Sequence, residues 1–267
     1  MSVAVIIVAA GSGSRLGAGL PKALVEVGGG TLLEHSLRTA LQVTGLEQVA
    51  VVAPASHLET VTELVHGVRA GCVVHVVAGG ADRTASVAAG LAALVDGLGD
   101  DTTEPRDDSD TSDPSESTDA DPQADLVEPQ VVLVHDAARC FTPLEVYERV
   151  ADAVREGWVA VVPGLPVVDT VKVVDERGVV HSTPPRARLR AVQTPQGFVR
   201  SELEAAHASG ISATDDAALL EQLGHQVLVV EGDPSAFKVT TPADLVRAQR
   251  HTASLSTTPD LDPEAIA

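Results

Sequence analysis

A chain of 267 residues with 44% hydrophobic side chains is long enough for one large α/β domain, or for two small ones. Five aromatic residues and a formal net charge of −20 argue against stacking platforms for bases and against a nucleic-acid polymer as partner. No apolar run reaches the roughly 18 residues of a bilayer span, no basic leader precedes the first strand, and Cys72 and Cys140 stand in no metal-ligating spacing; a cytoplasmic protein with reduced thiols is expected.

Residues 3–9 form a continuous apolar, β-branched run, the pattern of a strand buried on both faces. A glycine-rich turn follows at its carboxyl end, where open α/β sheets place their ligands. Ala10 and Gly11 begin it, Gly11, Gly13 and Gly17 allow close approach of an anion, and Arg15 and Lys22 carry positive charge. Leu16 stands where a dinucleotide fingerprint needs its third glycine, and no Gly-Lys-Ser/Thr follows, so the loop is neither a dinucleotide turn nor a P-loop. By itself it is a phosphate binder of another design, or a plain turn with solvated cations.

The periodicity then predicts a helix over 31–43, a strand over 48–53, a helix over 56–69, a strand over 72–77 and a helix over 82–94. Residues 100–128 hold twelve carboxylates and one arginine, and so −11 of the net charge. Such a stretch buries too little apolar surface to offset its ordering entropy, so a disordered acidic insertion is expected over 99–129. A strand over 131–135, a helix over 143–156 and a strand over 158–162 resume the alternation. The fold class expected is α/β, a Rossmann-like three-layer sandwich with a mostly parallel sheet.

At Val167 the period changes. Residues 167–174 and 179–182 flank Asp175-Glu176-Arg177-Gly178, a hairpin signal within an arm over 166–190. A two-stranded hairpin is marginal alone, so a second subunit is the expected partner surface. Helices over 197–209 and 214–223, a strand over 226–230 and a helix over 242–250, with Pro242 after a Thr241 cap, close a single domain over 1–250. The polar tail 251–267 is expected to be disordered.

Polar clusters mark the strand ends. Gly80 and Ala81, with Ser86 a turn later, can present backbone groups and a hydroxyl to a nucleobase edge, or form an ordinary connection. Asp136 and Arg139, in His135-Asp136-Ala137-Ala138-Arg139, end a buried strand; a carboxylate there can hold a ribose hydroxyl or a metal-bound water. Thr170 lies on the arm, and Arg186, Arg188 and Arg190 precede Thr194-Pro195-Gln196, as functional cations or as a solvated face. Lys238 sits in a short apolar run before a helix cap.

Taken in order, AAGSGSRLG with Pro21-Lys22, GGADRTASV, VHDAAR, DTVK, the block from Arg186 to Gln196, ATDDA and FKVTTPADL resemble the 2-C-methyl-D-erythritol 4-phosphate cytidylyltransferases, from Val3 to about Arg250 except for the insertion. The resemblance implies a nucleotide-diphospho-sugar transferase-like fold, CTP as co-substrate, methylerythritol phosphate as acceptor, and a homodimer through the arm. It also implies Mg²⁺ held mainly by the CTP phosphates, with Asp136 a possible ligand. Arg15 and Lys22 would contact the triphosphate, with Gly13 in the same loop. Ala10, Gly11, Gly80, Ala81 and Ser86 would surround the cytidine. Asp136 and Arg139 would face the ribose and the acceptor, with Thr214 nearby. Arg186 and Thr170, from the partner's arm, would hold the acceptor phosphate with Lys238. Cys140, Asp216 and Ala23 depart from the family's usual residues without removing any of these charges. The rivals are a ribitol 5-phosphate cytidylyltransferase, a non-catalytic nucleotide-binding module and, from the alternation alone, an NAD-dependent oxidoreductase.

Overall fold

The computed structural model of the chain describes residues 1–96, 130–211 and 213–256; the acidic stretch 99–129 and residues 257–267 lie outside them. In chain order the first half comprises β1 (Val3–Val8), β2 (Glu26–Val27), β3 (Gly30–Thr31), α1 (Leu32–Ala40), β4 (Leu46–Ala53), α2 (Leu58–His66), β5 (Val73–Ala78) and α3 (Arg83–Asp96). The second half comprises β6 (Val131–Asp136), α4 (Leu144–Arg155), β7 (Ala160–Pro166), β8 (Val173–Val174), β9 (Val180–Ser182), β10 (Arg190–Val192) and β11 (Gln196–Val199). It ends with α5 (Arg200–Ala208), α6 (Asp216–Gln222), β12 (Val227–Glu231) and α7 (Pro242–Ser256).

The main sheet has eight strands in the order β10-β7-β11-β6-β1-β4-β5, with β12 on the other edge of β7. β6, β1, β4 and β5 are parallel, as are β7 and β12, whereas β10 and β11 run antiparallel to their neighbours. Side chains alternate across β1 as the period-2 geometry of a strand requires. Val3, Val5 and Ile7 join a core with α1, α2 and α4, whereas Ala4 and Ile6 join one with α3, α5 and α6. The expected three-layer α/β sandwich is therefore present. A third, smaller cluster of Leu16, Val25, Val27, Leu32, Cys140, Val239 and Ala248 packs under α7.

The helix expected from residue 197 begins instead at Arg200, because Gln196–Val199 is strand β11 between β6 and β7. Gly197 permits this: a Cβ there would lie 2.5 Å from Val150 Cγ1, so α4 can approach the strand only over a bare backbone. β10 also joins the main sheet, paired with β7 through Arg190↔Pro166 to Val192↔Gly164. The hairpin signal corresponds to β8 and β9, which form a separate two-stranded sheet. α7 runs on to Ser256, six residues past the expected helix end. Among the described residues no helix is long and apolar enough to cross a membrane.

The chain passes from β1 to β4 and β5 on one side, then returns to β6 on the other, so the switch point lies between β1 and β6. Adjacent loops diverge there and open a crevice at the carboxyl ends of the strands. The packing beneath is tight: a Cβ on Gly90 of α3 would lie 2.6 Å from Ile6 Cγ2 and 3.0 Å from Val52 Cγ2. Gly90→Val should destabilise the fold by about 1–3 kcal/mol, seen as a lower midpoint in thermal unfolding; an unchanged midpoint would contradict this close approach.

Candidate active site

A cavity of about 380 Å³ opens at this switch point, lined by Ala10, Gly11, Ser12 and Lys22 after β1, by Gly80 to Arg83 and Ser86 after β5, by Asp136 at the end of β6, and by Lys238. Each segment is held by a local feature. Gly13 has φ +70°, and a Cβ on it would lie 2.9 Å from Lys22 N and Cβ, so the glycine lets the loop fold back on the Pro21-Lys22 turn. A Cβ on Gly79 would lie 2.5 Å from Ala10 Cβ, which brings the turn after β5 onto the first loop. Val239 N donates to Ala138 O at 2.8 Å, and this contact sets the neighbouring Lys238 beside the end of β6.

Lys238 Nζ lies 2.7 Å from Asp136 Oδ2, and Arg83 Nε lies 3.6 Å from Asp136 Oδ1. Burial by itself would raise the Asp136 carboxyl, but Lys238 and then Arg83 outweigh it and hold the pKa at about 2. Lys22 is driven the other way, down to about 8, first by burial and then by the like charge of Lys238, with Asp136 opposing both. His135, one residue before Asp136, is pushed to about 3 chiefly by burial and stays neutral at ordinary pH. The cavity therefore offers cations to an anion, and no histidine is among its lining residues.

Of the residues singled out in the sequence, Ala10, Gly11, Lys22, Gly80, Ala81, Ser86, Asp136 and Lys238 converge on the cavity. Ser86 is buried, and its hydroxyl donates to Asp82 O at 2.7 Å. Gly13 lies behind Lys22, and Arg15 is exposed on the same loop, close enough to depress the Lys22 ammonium. Arg139 is placed differently from expectation. Its Nη1 donates to Ala236 O at 2.8 Å and its Nη2 to Val192 O at 3.1 Å, so it ties the Lys238 segment and β10 to the end of β6. Thr170, Arg186 and Thr214 are exposed and do not line the cavity; Arg186 Nη1 donates to Val168 O at 2.6 Å within its own arm.

Arg83, Asp216 and Thr194 were not assigned from sequence. Arg83 lines the cavity and bridges Asp136 to Asp216. Its one sequence signal is a cation at the first residue of a helix, where the dipole disfavours it unless a carboxylate is near. Thr194 Oγ1 accepts from Asp136 N at 3.0 Å and lies 3.1 Å from His135 Nδ1. No signal marks that contact, since it joins residues 58 apart in the chain.

An α/β sheet whose switch point carries a glycine loop and converging lysines defines a nucleotidyltransferase. A family model described as IspD, 2-C-methyl-D-erythritol 4-phosphate cytidylyltransferase, matches residues 3–100 and 116–253. Over 248 residues the chain is 44% identical to the 2-C-methyl-D-erythritol 4-phosphate cytidylyltransferase of Nocardia farcinica, covering 93% of each. It is 48% identical over 249 residues to the bifunctional enzyme IspD/IspF of Clavibacter michiganensis, covering 92% of this chain and spanning 53%, about half, of that longer protein. Among solved structures, a 4-diphosphocytidyl-2C-methyl-D-erythritol synthase from Anaerococcus prevotii superposes with a TM-score of 0.73 at 27% identity, covering 94% of this chain and 96% of that one. The 2-C-methyl-D-erythritol 4-phosphate cytidylyltransferase of Thermus thermophilus gives 0.65 at 33%, covering 95% and 100%. The chain belongs to the 2-C-methyl-D-erythritol 4-phosphate cytidylyltransferase family.

The depressed Lys22 ammonium has a measurable consequence. The free protein should lose affinity for inorganic triphosphate as pH rises through about 8, because Lys22 is a cation below that value and neutral above it. Lys22→Arg should flatten that loss, since a guanidinium keeps its proton. Calorimetric titration at pH 7 and pH 9 checks this, and identical pH dependence in both proteins would reject it.

Proposed function

We propose that the chain transfers the cytidylyl group of CTP to 2-C-methyl-D-erythritol 4-phosphate in the non-mevalonate isoprenoid precursor pathway, giving 4-diphosphocytidyl-2-C-methyl-D-erythritol and pyrophosphate. Family membership supports this reading. The observation that carries it is one cavity lined by both Lys22 and Lys238 together with Asp136, to which Lys238 is paired. The acceptor phosphate has a second pKa near 6, so at neutral pH it is largely a dianion and attacks without a protein base. One of its oxygens forms a bond to the α-phosphorus, the bond from that phosphorus to the bridging oxygen breaks, and the electron pair leaves with pyrophosphate.

What such a reaction needs is the close placement of two anions and neutralisation of the charge that builds on the transferring phosphate. Lys22, with Arg15 on the same loop, serves the triphosphate. Lys238 serves the acceptor side, and Asp136 accepts from the ribose. Backbone at Ala10, Gly11, Gly80 and Ala81, with Ser86, encloses the cytidine. Among the described residues no group of three or more metal-ligating side chains exists, and one oxygen of Asp136 is held by Lys238. Mg²⁺ would arrive with the CTP phosphates, which would supply most of its ligands. We assign the enzyme to the cytosol, where Cys72 and Cys140, both free, stay reduced.

The arm supports a homodimer. Val168, Val171, Val173, Val174, Val179 and Val180 are exposed on it, Val168 at 78%, and among the described residues nothing covers this face of a two-stranded hairpin that is marginal alone. The partner's arm would then deliver Thr170 and Arg186 to the acceptor phosphate, with Thr214 close to it.

Pyrophosphate release with CTP and methylerythritol phosphate, but not with ribitol 5-phosphate, is the expected result; no release with methylerythritol phosphate overturns the assignment. Lys22→Ala and Arg15→Ala should each lower kcat by about 10²–10³, as for the loss of one oxyanion-hole donor, with an unchanged circular dichroism spectrum. Near-normal turnover in either removes that residue from the mechanism. Mixing inactive Lys22→Ala protein with inactive Arg186→Ala protein should restore turnover, since each mixed dimer has one site with both residues intact. Failure to complement, with mixed dimers confirmed by mass, would refute arm exchange.

A further inference from the structure

Arg83 is shared between two carboxylates of different standing. Nη1 lies 2.5 Å from Asp216 Oδ2, whereas Nε stays 3.6 Å from Asp136 Oδ1, beyond hydrogen-bond range. Asp216 faces away from solvent, with a side chain 1% exposed in the first turn of α6, and its Oδ1 accepts from His207 Nε2 at 3.1 Å. The flanking backbone is pinned. Buried Gln196 donates through Nε2 to Asp215 Oδ2 at 2.8 Å and accepts from Ala217 N at 3.3 Å, while Asp215 caps α6 through Ala218 N.

Asp136 Oδ2 is occupied by Lys238, so Oδ1 is the oxygen left to accept from a ligand in the cavity. An arginine and a carboxylate left to themselves favour a close, two-pronged contact. At Arg83 that preference is met behind the cavity, on Asp216.

We propose that Asp216 is a positioning residue of the nucleotide site: by holding Arg83, it keeps Asp136 Oδ1 open to a hydroxyl of the bound nucleotide. The direction of the effect follows from charge. With Asp216 neutral, Arg83 closes on Asp136 and occupies the acceptor that the ribose would use. This rests on the reading of the cavity as the CTP site. Asp216 touches no substrate itself and acts through Arg83 alone.

Calorimetric titration with CTP and steady-state kinetics test the idea on Asp216→Asn, Arg83→Gln and the double variant. A hydrogen bond to a charged group contributes enough that its loss in Asp216→Asn should weaken CTP about tenfold or more, with KM for CTP rising in step. A purely structural role would instead lower the active fraction, and so kcat, without moving KM. Because Asp216 acts through Arg83, the double variant should bind CTP no more weakly than Arg83→Gln does, and Asp216→Glu, which keeps the charge, should recover most of the affinity. Unchanged affinity in Asp216→Asn, or strict additivity in the double variant, overturns the proposal. If Asp216→Asn does not fold, His207→Ala, which loosens the same carboxylate from behind, should weaken CTP in the same direction by about two- to threefold; no change there overturns it equally. A crystal structure of ligand-free Asp216→Asn gives an independent answer. Arg83 at hydrogen-bond distance from Asp136 Oδ1 upholds the proposal, and Arg83 left in place defeats it. A wild-type protein that fails to bind CTP rejects the ligand assignment, and the ligand-free structure then decides the positioning role alone.

Discussion

Asp136, at the carboxyl end of β6, has a side chain only 12% exposed; Lys238 pairs with it at 2.7 Å, Arg83 stands 3.6 Å away, and Lys22 lines the same cavity. Three cations around one cavity repel one another, and the Lys22 ammonium is depressed first by burial and then by Lys238. Two buried carboxylates make the arrangement tolerable: Asp136 inside the cavity and Asp216 behind it. Removing one member of such a set leaves a charge without its counter-ion in a poorly solvated place, which is costlier than any single exposed ion pair suggests. The charges of the cavity are thus held in place before any anion enters it.

The surrounding structure serves this cluster through backbone contacts. The Val239–Ala138 bond places Lys238, Arg139 ties the Lys238 segment to β10, and Thr194 receives the Asp136 amide. The small core under α7 joins the first loop, through Leu16 and Val25, to the segment that carries Lys238, through Val239. The Phe237 and Phe141 rings lie 6.2 Å apart, tilted by 40°, and Arg247 of α7 lies 3.8 Å over the Phe237 ring. The two lysines therefore rest on one packed unit, although more than two hundred residues separate them in the chain. A basic cavity on a chain of net charge −20 also concentrates the positive field where a triphosphate would enter.

The α/β alternation, the sheet's parallel half and most of the cavity lining could be read directly from the chain, because buried parallel strands and glycine turns leave local patterns. Ala10, Gly11 and Lys22 belong to the turn that follows such a strand and Asp136 ends another, so their places follow from the strands themselves. β11 was not legible: Gln196-Gly197-Phe198-Val199 has too few residues for a period, and it is a strand because β6 and β7 flank it. The extra helical turns of α7 were hidden similarly, since their support comes from distant contacts such as Phe141 on His251.

By itself the sequence determined the fold class, the loop chemistry and the identity of the charges, because these depend on residue type and short spacing. Only the tertiary structure decided what each charge touches. Arg139 and Arg83 carry the same guanidinium, yet Arg139 is spent on the carbonyls of Ala236 and Val192, while Arg83 reaches the cavity between two carboxylates. The difference arises because a long cation takes whichever acceptors packing brings within reach. Asp216 lies 133 residues from Arg83 and meets it only when α6 is docked on the sheet.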